Sequence, residues 1–194
     1  MKIFDCFMFY DEEMLLDIRL NILNKYVDQF IIVESIFTHS GQKRNLVFDI
    51  QKYKRFKDKK KYFVVEKKPD SIETINSYDT DHIKGNKLIM NAVWFENSQR
   101  NAINNLLGSA DANDQIIISD VDEIPNLEKV NFKNIKKKLI LFKQKMFYYK
   151  FNLLLEKMIW CGSKSCKKID LISPQWLREV KDKKYPKWRL DTYF

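Results

Sequence analysis

The sequence predicts an α/β fold on three observations: a strand, helix and strand pattern opens the chain, helical periodicity fills its middle, and a later apolar strand ends in carboxylates. Residues 2–9, Lys-Ile-Phe-Asp-Cys-Phe-Met-Phe, form a β-type run bounded by Tyr10-Asp11, which suits a buried first strand. Asp11 is placed to cap a helix, with Glu12 and Glu13 meeting the positive end of its dipole. Met14, Leu15, Ile18, Ile22 and Leu23 recur at helical spacing, so that stripe is expected to lie on a sheet. The next run, Gln29-Phe-Ile-Ile-Val-Glu-Ser35, is almost continuously apolar and stops abruptly, as a central strand covered on both faces does. Two parallel strands joined by a right-handed crossover place a ligand site at their carboxyl ends. Glu34 and Ser35 are expected there.

Lys61 to Val65 reads as a third strand, and residues 70–84 as a polar loop. Helical spacing resumes from Leu88 through Trp94 and again from Arg100 to Leu107, with Gly108 as a stop. Asp114-Gln-Ile-Ile-Ile-Ser-Asp-Val-Asp-Glu-Ile-Pro125 then carries three isoleucines into the core and empties carboxylates at its far end. Leu139 to Phe142 and Met146 to Phe151 supply further strand material, and Ser173-Pro174 gives a cap and a first-turn proline for a last helix.

Composition narrows the class. At 194 residues the chain has room for one domain with a sizeable core, and residues 1–194 are read as that single domain. A content of 45% hydrophobic and 14% aromatic residues excludes a disordered chain. No apolar run approaches the ~20 residues that cross a bilayer, and the N-terminus breaks its apolar character too early for a signal peptide. The expected location is cytoplasmic. Cys6, Cys161 and Cys166 have no metal-site spacing, so reduced structural thiols are expected. The net charge of +9, from 35 basic against 26 acidic residues, attracts polyanions in general. Much of it sits in lysine-rich stretches, which are commonly solvated faces.

The chemistry concentrates at the end of the isoleucine strand. Asp120 and Asp122 are separated by one residue, so both side chains can turn toward one point. Carboxylates that close repel unless a hard cation such as Mn²⁺ or Mg²⁺ is shared with substrate phosphates. Asp79-Thr-Asp-His82 has the same spacing, yet it lies in a polar run with no strand to fix its geometry, and is expected to be surface loop. His82 and His39 are the histidines available for recruitment.

Several ordered blocks carry a resemblance. Asp120-Val-Asp-Glu-Ile-Pro125, the preceding Glu96-Asn-Ser-Gln-Arg-Asn101, and the opening Phe4-Asp-Cys-Phe with Glu12, Leu15, Leu16, Arg19 and Leu20 resemble glycosyltransferase family 17. That is the family of β-1,4-mannosyl-glycoprotein N-acetylglucosaminyltransferases that add bisecting GlcNAc. Val27-Asp28, Phe30 to Ser35, Thr38 and Ser40-Gly41 fit its second block. The likeness covers residues 3–48 and 94–128, with a weaker trail through Tyr148-Tyr149, Asn152 and Trp160.

The resemblance implies a GT-A (Rossmann-like) nucleotide-diphospho-sugar transferase fold with a mainly parallel, mixed central sheet flanked by helices. It also implies a nucleotide-sugar donor, UDP-GlcNAc first among them, a glycan acceptor, and inversion at the anomeric carbon. Asp120 and Asp122 match the metal and diphosphate motif; Glu34 would lie near the nucleoside, and Arg100 would bind ribose or phosphate. The plainer readings are a strand-end cap for Glu34 and an ion pair of Arg100 with Glu96, four residues earlier.

One departure stands out. The family continues into a Gly-Trp-His-Phe type segment suited to supply a metal ligand, whereas this sequence ends Trp188-Arg-Leu-Asp-Thr-Tyr-Phe194. A truncated chain, a metal completed by water and donor oxygens, or lost activity each account for it. Inversion needs a general base, for which Asp170, Glu179 and Asp191 are candidates. Other readings are a sugar-nucleotide or phosphodiester hydrolase using the same metal pair, and a non-catalytic basic domain binding glycan or nucleic acid. Nucleic acid is not the expected partner, because carboxylates at a buried strand end repel phosphates.

Overall fold

A computed structural model describes residues 1–150 and 152–182. The expected α/β architecture is present, built on a six-stranded sheet with strand order β3-β2-β1-β4-β8-β5. The strands are β1 (Ile3–Met8), β2 (Gln29–Ser35), β3 (Lys60–Val65), β4 (Gln115–Ser119), β5 (Leu139–Leu141) and β8 (Lys164–Lys167). β1 pairs in parallel with β2 and β4, β2 with β3, and β8 runs antiparallel between β4 and β5. A separate hairpin joins β6 (Gln144–Phe147) to β7 (Leu154–Trp160).

Alternation along the strands splits the core in two. Phe7, Phe30, Ile32 and Ile117 pack with Leu16, Leu20 and Leu23 of helix α1 (Glu13–Leu23) on one face. Phe4, Cys6, Ile31, Val33, Ile116 and Ile118 pack on the other with Ile103 and Leu107 of a 3-10 segment and with Leu177 of helix α3 (Pro174–Glu179). Successive residues of a strand point to opposite faces, so fully apolar strands are what a sheet covered on both sides requires.

Several elements depart from expectation. The buried stripe of α1 is Leu16, Arg19, Leu20 and Leu23, while Met14, Ile18 and Ile22 are exposed. The rotation follows Arg19, whose guanidinium is drawn inward to Asp5 on β1, donating from Nη2 at 2.6 Å. Glu12, rather than Asp11, stands at the cap and makes no side-chain cap bond; its Oε2 accepts from the backbone N–H of Tyr10 and Asp11 instead. Helix α2 is one continuous element, Asp81–Asn101, starting inside the expected loop because Thr80 caps it and accepts from the Ile83 N–H. The stretch expected to be helical up to Gly108 tightens into the 3-10 segment Ala102–Ser109.

The strand material from residue 146 is realised as β6, and Phe151 lies outside the described residues. β8 is the element the sequence hid: Lys-Ser-Cys-Lys is short and polar, yet Lys164, Ser165 and Cys166 are buried. Ser165 resolves the conflict, its Oγ donating to the Ile116 carbonyl and accepting from Gln115 Nε2. The three cysteines are free thiols. No helix among the described residues is long and apolar enough to cross a membrane.

Candidate active site

Strand order reverses at β1, which lies between β2 and β4, and a doubly wound sheet opens a crevice at such a point, outside the carboxyl ends of its strands. A cavity of about 560 Å³ lies there. It is lined from β1 and the chain following it by Met8, Phe9, Tyr10 and Glu12, from the turn after β2 by Thr38 and His39, from α2 by Glu96, Gln99 and Arg100, and from the turn after β4 by Asp120, Val121 and Asp122.

The turn after β4 is held from beneath by Arg19. This fully buried side chain donates to the carbonyls of Asp120 at 2.9 Å, Val121 at 3.2 Å and Glu123 at 3.0 Å. It also donates to Ser119 Oγ and bidentately to the Asp5 carboxylate. A guanidinium carries five donors in a rigid fork, so one residue of α1 fixes the backbone carrying both aspartates. The resemblance included Asp5 and Arg19; their work at this turn comes from a contact 100 residues apart in sequence that no local pattern reveals.

The two aspartates differ in surroundings. Asp120 Oδ1 accepts from Arg100 Nη2 at 3.0 Å and Oδ2 from Arg178 Nη2 at 2.7 Å. Burial pushes its carboxyl up, but Arg178 and Arg100 outweigh that and hold it below the ordinary value. Asp122 is exposed and takes no hydrogen bond or ion pair among the described residues. Arg100 pairs with Glu96 at 2.8 Å and with Asp120 together, so the plain ion-pair reading and the placement in the cavity both hold. Its Nε is buried without a partner among the described residues.

Arg178, which sequence reasoning missed, reaches in from α3 to Asp120 and Glu123. Burial works against its charge, and Asp120 and Glu123 overcome this and raise its pKa. Glu123 Oε1 also accepts from Trp160 Nε1 at 2.6 Å. A Cβ on Gly162 would stand 2.0 Å from that same oxygen and 2.4 Å from Trp160 Nε1, so glycine is required by close approach.

Other expected residues lie elsewhere. Glu34 is fully buried at the end of β2, but its carboxylate accepts from Arg44 Nη1, the N–H groups of Val47 and Phe48, and the Tyr62 hydroxyl. It anchors residues 44–48 and is absent from the cavity lining. Among the base candidates, Asp170 pairs with Lys138 at 3.4 Å, and Glu179 accepts from Gln175; neither lines the cavity. Asp191 lies outside the described residues. Asp79 pairs with Lys87 at 2.8 Å just ahead of α2, while Thr80, Asp81 and His82 are exposed, so the stretch lies at the surface as expected, with Asp81 and His82 opening the helix.

Among the described residues no three His, Cys, Asp or Glu side chains gather to hold a metal ion. The described residues alone therefore build no cage. Mg²⁺ and Mn²⁺ commonly take one or two carboxylates plus substrate phosphates and water, and Asp122 beside the paired Asp120 fits such a shared ion.

No curated protein and no solved structure matches the chain. The sequence model of glycosyltransferase family 17 matches residues 1–171, which spans β1 to β8 and with them the whole central sheet and the cavity. The chain belongs to glycosyltransferase family 17.

Proposed function

We propose that this glycosyltransferase moves a sugar, GlcNAc from UDP-GlcNAc in the leading case, to a glycan acceptor with inversion at the anomeric carbon. The observation that carries the reading is the cavity at the carboxyl ends of β1 and β4, where Asp122 stands unpaired among the described residues beside an Asp120 held by arginines. A donor diphosphate entering this cavity meets Glu12, Glu96 and Asp122, and Arg100 is the cation in the lining. Repulsion on that scale favours a bridging divalent cation, which would supply the positive charge that steadies the departing diphosphate.

Asp122 would hold that ion, with Asp120 oriented beside it by Arg100 and Arg178. Arg19 keeps the intervening backbone in place. Arg100 adds its own charge along the diphosphate path. The general base is proposed among Glu12, His39 and Glu96, which line the cavity and accept protons, in place of Asp170 and Glu179. A cytoplasmic location remains part of this proposal.

The test is thermal unfolding with UDP, in Mn²⁺, in Mg²⁺ and in EDTA. UDP should raise the midpoint only with the ion, because ligand that binds the folded state alone stabilises it. Asp122→Asn should remove that shift and keep the fold, whereas Asp79→Asn should keep the shift. Equal stabilisation in EDTA would sink the shared-ion reading, and UDP-sugar consumed without acceptor would favour a hydrolase.

A further inference from the structure

The block Glu96 to Asn101 turns through more than one helical turn, so only part of it can face the donor cavity. Glu96, Gln99 and Arg100 do so. Asn97, Ser98 and Asn101 line a different cavity, of about 660 Å³, together with Trp94 one turn earlier and Phe63 of β3. Its outer wall is the segment following β3, from Glu66 to Ser71.

We propose that this second cavity is a binding site for a neutral saccharide. Asn97 Oδ1 is buried there without a hydrogen-bond partner among the described residues, and a buried polar atom left unpaired is uncommon enough to ask for an explanation. Asn97 itself is only half-buried and lines the cavity, so a turn of its amide would bring this oxygen to a ligand hydroxyl. Asn101 spends its Oδ1 on the Gln175 N–H at 3.0 Å, which leaves its amide N–H groups for a ligand acceptor. Hydroxyls both donate and accept, so a row of side-chain amides suits them. Trp94 and Phe63 supply flat apolar surface for the C–H face of a pyranose ring.

Charge argues against an anion. Lys67 and Lys68 at the rim are matched by Glu66 and Asp70, and the Lys68 ammonium sits 5.6 Å over the Phe37 ring. The volume falls in the range of small-molecule sites, ~300–1,000 Å³. Because the two cavities share no lining residue and take different residues of α2, the saccharide held here lies outside the donor cavity, and its binding needs neither nucleotide nor metal.

The test follows the Trp and Asn side-chain N–H signals of ¹⁵N-labelled protein by NMR during titration with chitotriose, mannotriose and, separately, inorganic pyrophosphate, all without UDP. Saturable shifts of the Trp94 indole and Asn97 amide with a neutral trisaccharide are expected. Trp94→Ala and Asn97→Ala should each weaken that binding about tenfold or more while leaving the UDP and Mn²⁺ stabilisation unchanged. Asn105→Ala, at an exposed position in the lining, should weaken it too and serves if the first variants unfold. No saturable shift with either sugar, stronger shifts with pyrophosphate, or variants that bind sugar as the parent does would each overturn the proposal. Loss of UDP stabilisation with sugar binding intact would count against the donor reading alone.

Discussion

Asp5 and Arg19 form a salt bridge at 2.6 Å with both side chains fully buried, and in low dielectric the cost of breaking such a pair exceeds the gain of having made it. Arg19→Met should therefore destabilise the protein by ~3–5 kcal/mol, since it leaves the Asp5 charge alone in the core. Asp5→Leu combined with Arg19→Met should recover part of that loss. The double variant should still lack UDP stabilisation with Mn²⁺, because the carbonyls of Asp120, Val121 and Glu123 have lost the donor that fixes their turn. Full UDP response in a folded double variant would reduce Arg19 to a core residue. Glu34 makes the opposite case. Sequence position suggests a nucleoside ligand, whereas its hydrogen bonds to Arg44, Val47, Phe48 and Tyr62 suggest an anchor. Glu34→Gln puts an amide N–H against those donors and should cost ~1–3 kcal/mol of stability. UDP affinity of the folded variant, measured by calorimetry, should be unchanged; a tenfold loss would return Glu34 to the donor site.

β8 places Lys164 where few lysines are found, with 5% of its surface exposed. Its Nζ donates to the Arg178 carbonyl, which ties the sheet to α3. Burial first, and then the charge of Arg178, lower its pKa to about 8 from the ordinary 10.5. Between those values the unfolded chain holds more protons than the folded one, so this group makes stability rise with pH across that window and cost most below it. The buried thiols of Cys6 and Cys166 and the Tyr62 hydroxyl are pushed up and pull the other way as their unfolded forms ionise. A difference against Lys164→Met isolates the lysine. The parent should gain stability relative to the variant as pH rises from 8 toward 10 in denaturant titrations, and a flat difference would contradict the burial of its charge. Such an element was illegible because its four residues carry no apolar alternation, and only Ser165 bonding to Gln115 and Ile116 makes the burial tolerable. β2, by contrast, was legible to the residue, since a strand covered on both faces writes its burial as an apolar run. For α1 the helix was legible and its inward face was not, because a buried arginine breaks the rule that the apolar stripe is the buried one.

At the scale of the molecule, the same distinction governs the site. Asp120 and Asp122 were legible because they close an apolar strand, and Arg100 because it lies in the Glu96 to Asn101 block. Arg178 and Gly162 were not, and Trp160 only as part of the resemblance's weaker trail, since the chain returns to the turn after β4 from the end of β7 and from α3. What the whole sequence does state without folding is its charge, +9 from 35 basic and 26 acidic residues, and that charge makes a separate prediction about partners. A basic surface binds single-stranded RNA by releasing counterions, so the affinity falls steeply with salt, with a logarithmic slope of ~0.7 per phosphate neutralised. A UDP held through one shared ion and Arg100 in a cavity engages few charges, and partly buried pairs are screened much less than exposed ones. Raising NaCl from about 50 to about 300 mM, several-fold beyond the range where surface attraction is strong, should therefore abolish any RNA binding seen by fluorescence anisotropy. UDP affinity with Mn²⁺, measured in the same buffers, should change far less. Asp122→Asn should leave RNA binding as it was while removing the UDP response. RNA affinity that survives high salt and discriminates between sequences would instead make nucleic acid a specific partner, and the lysine-rich surface would then be a recognition face rather than a solvated one.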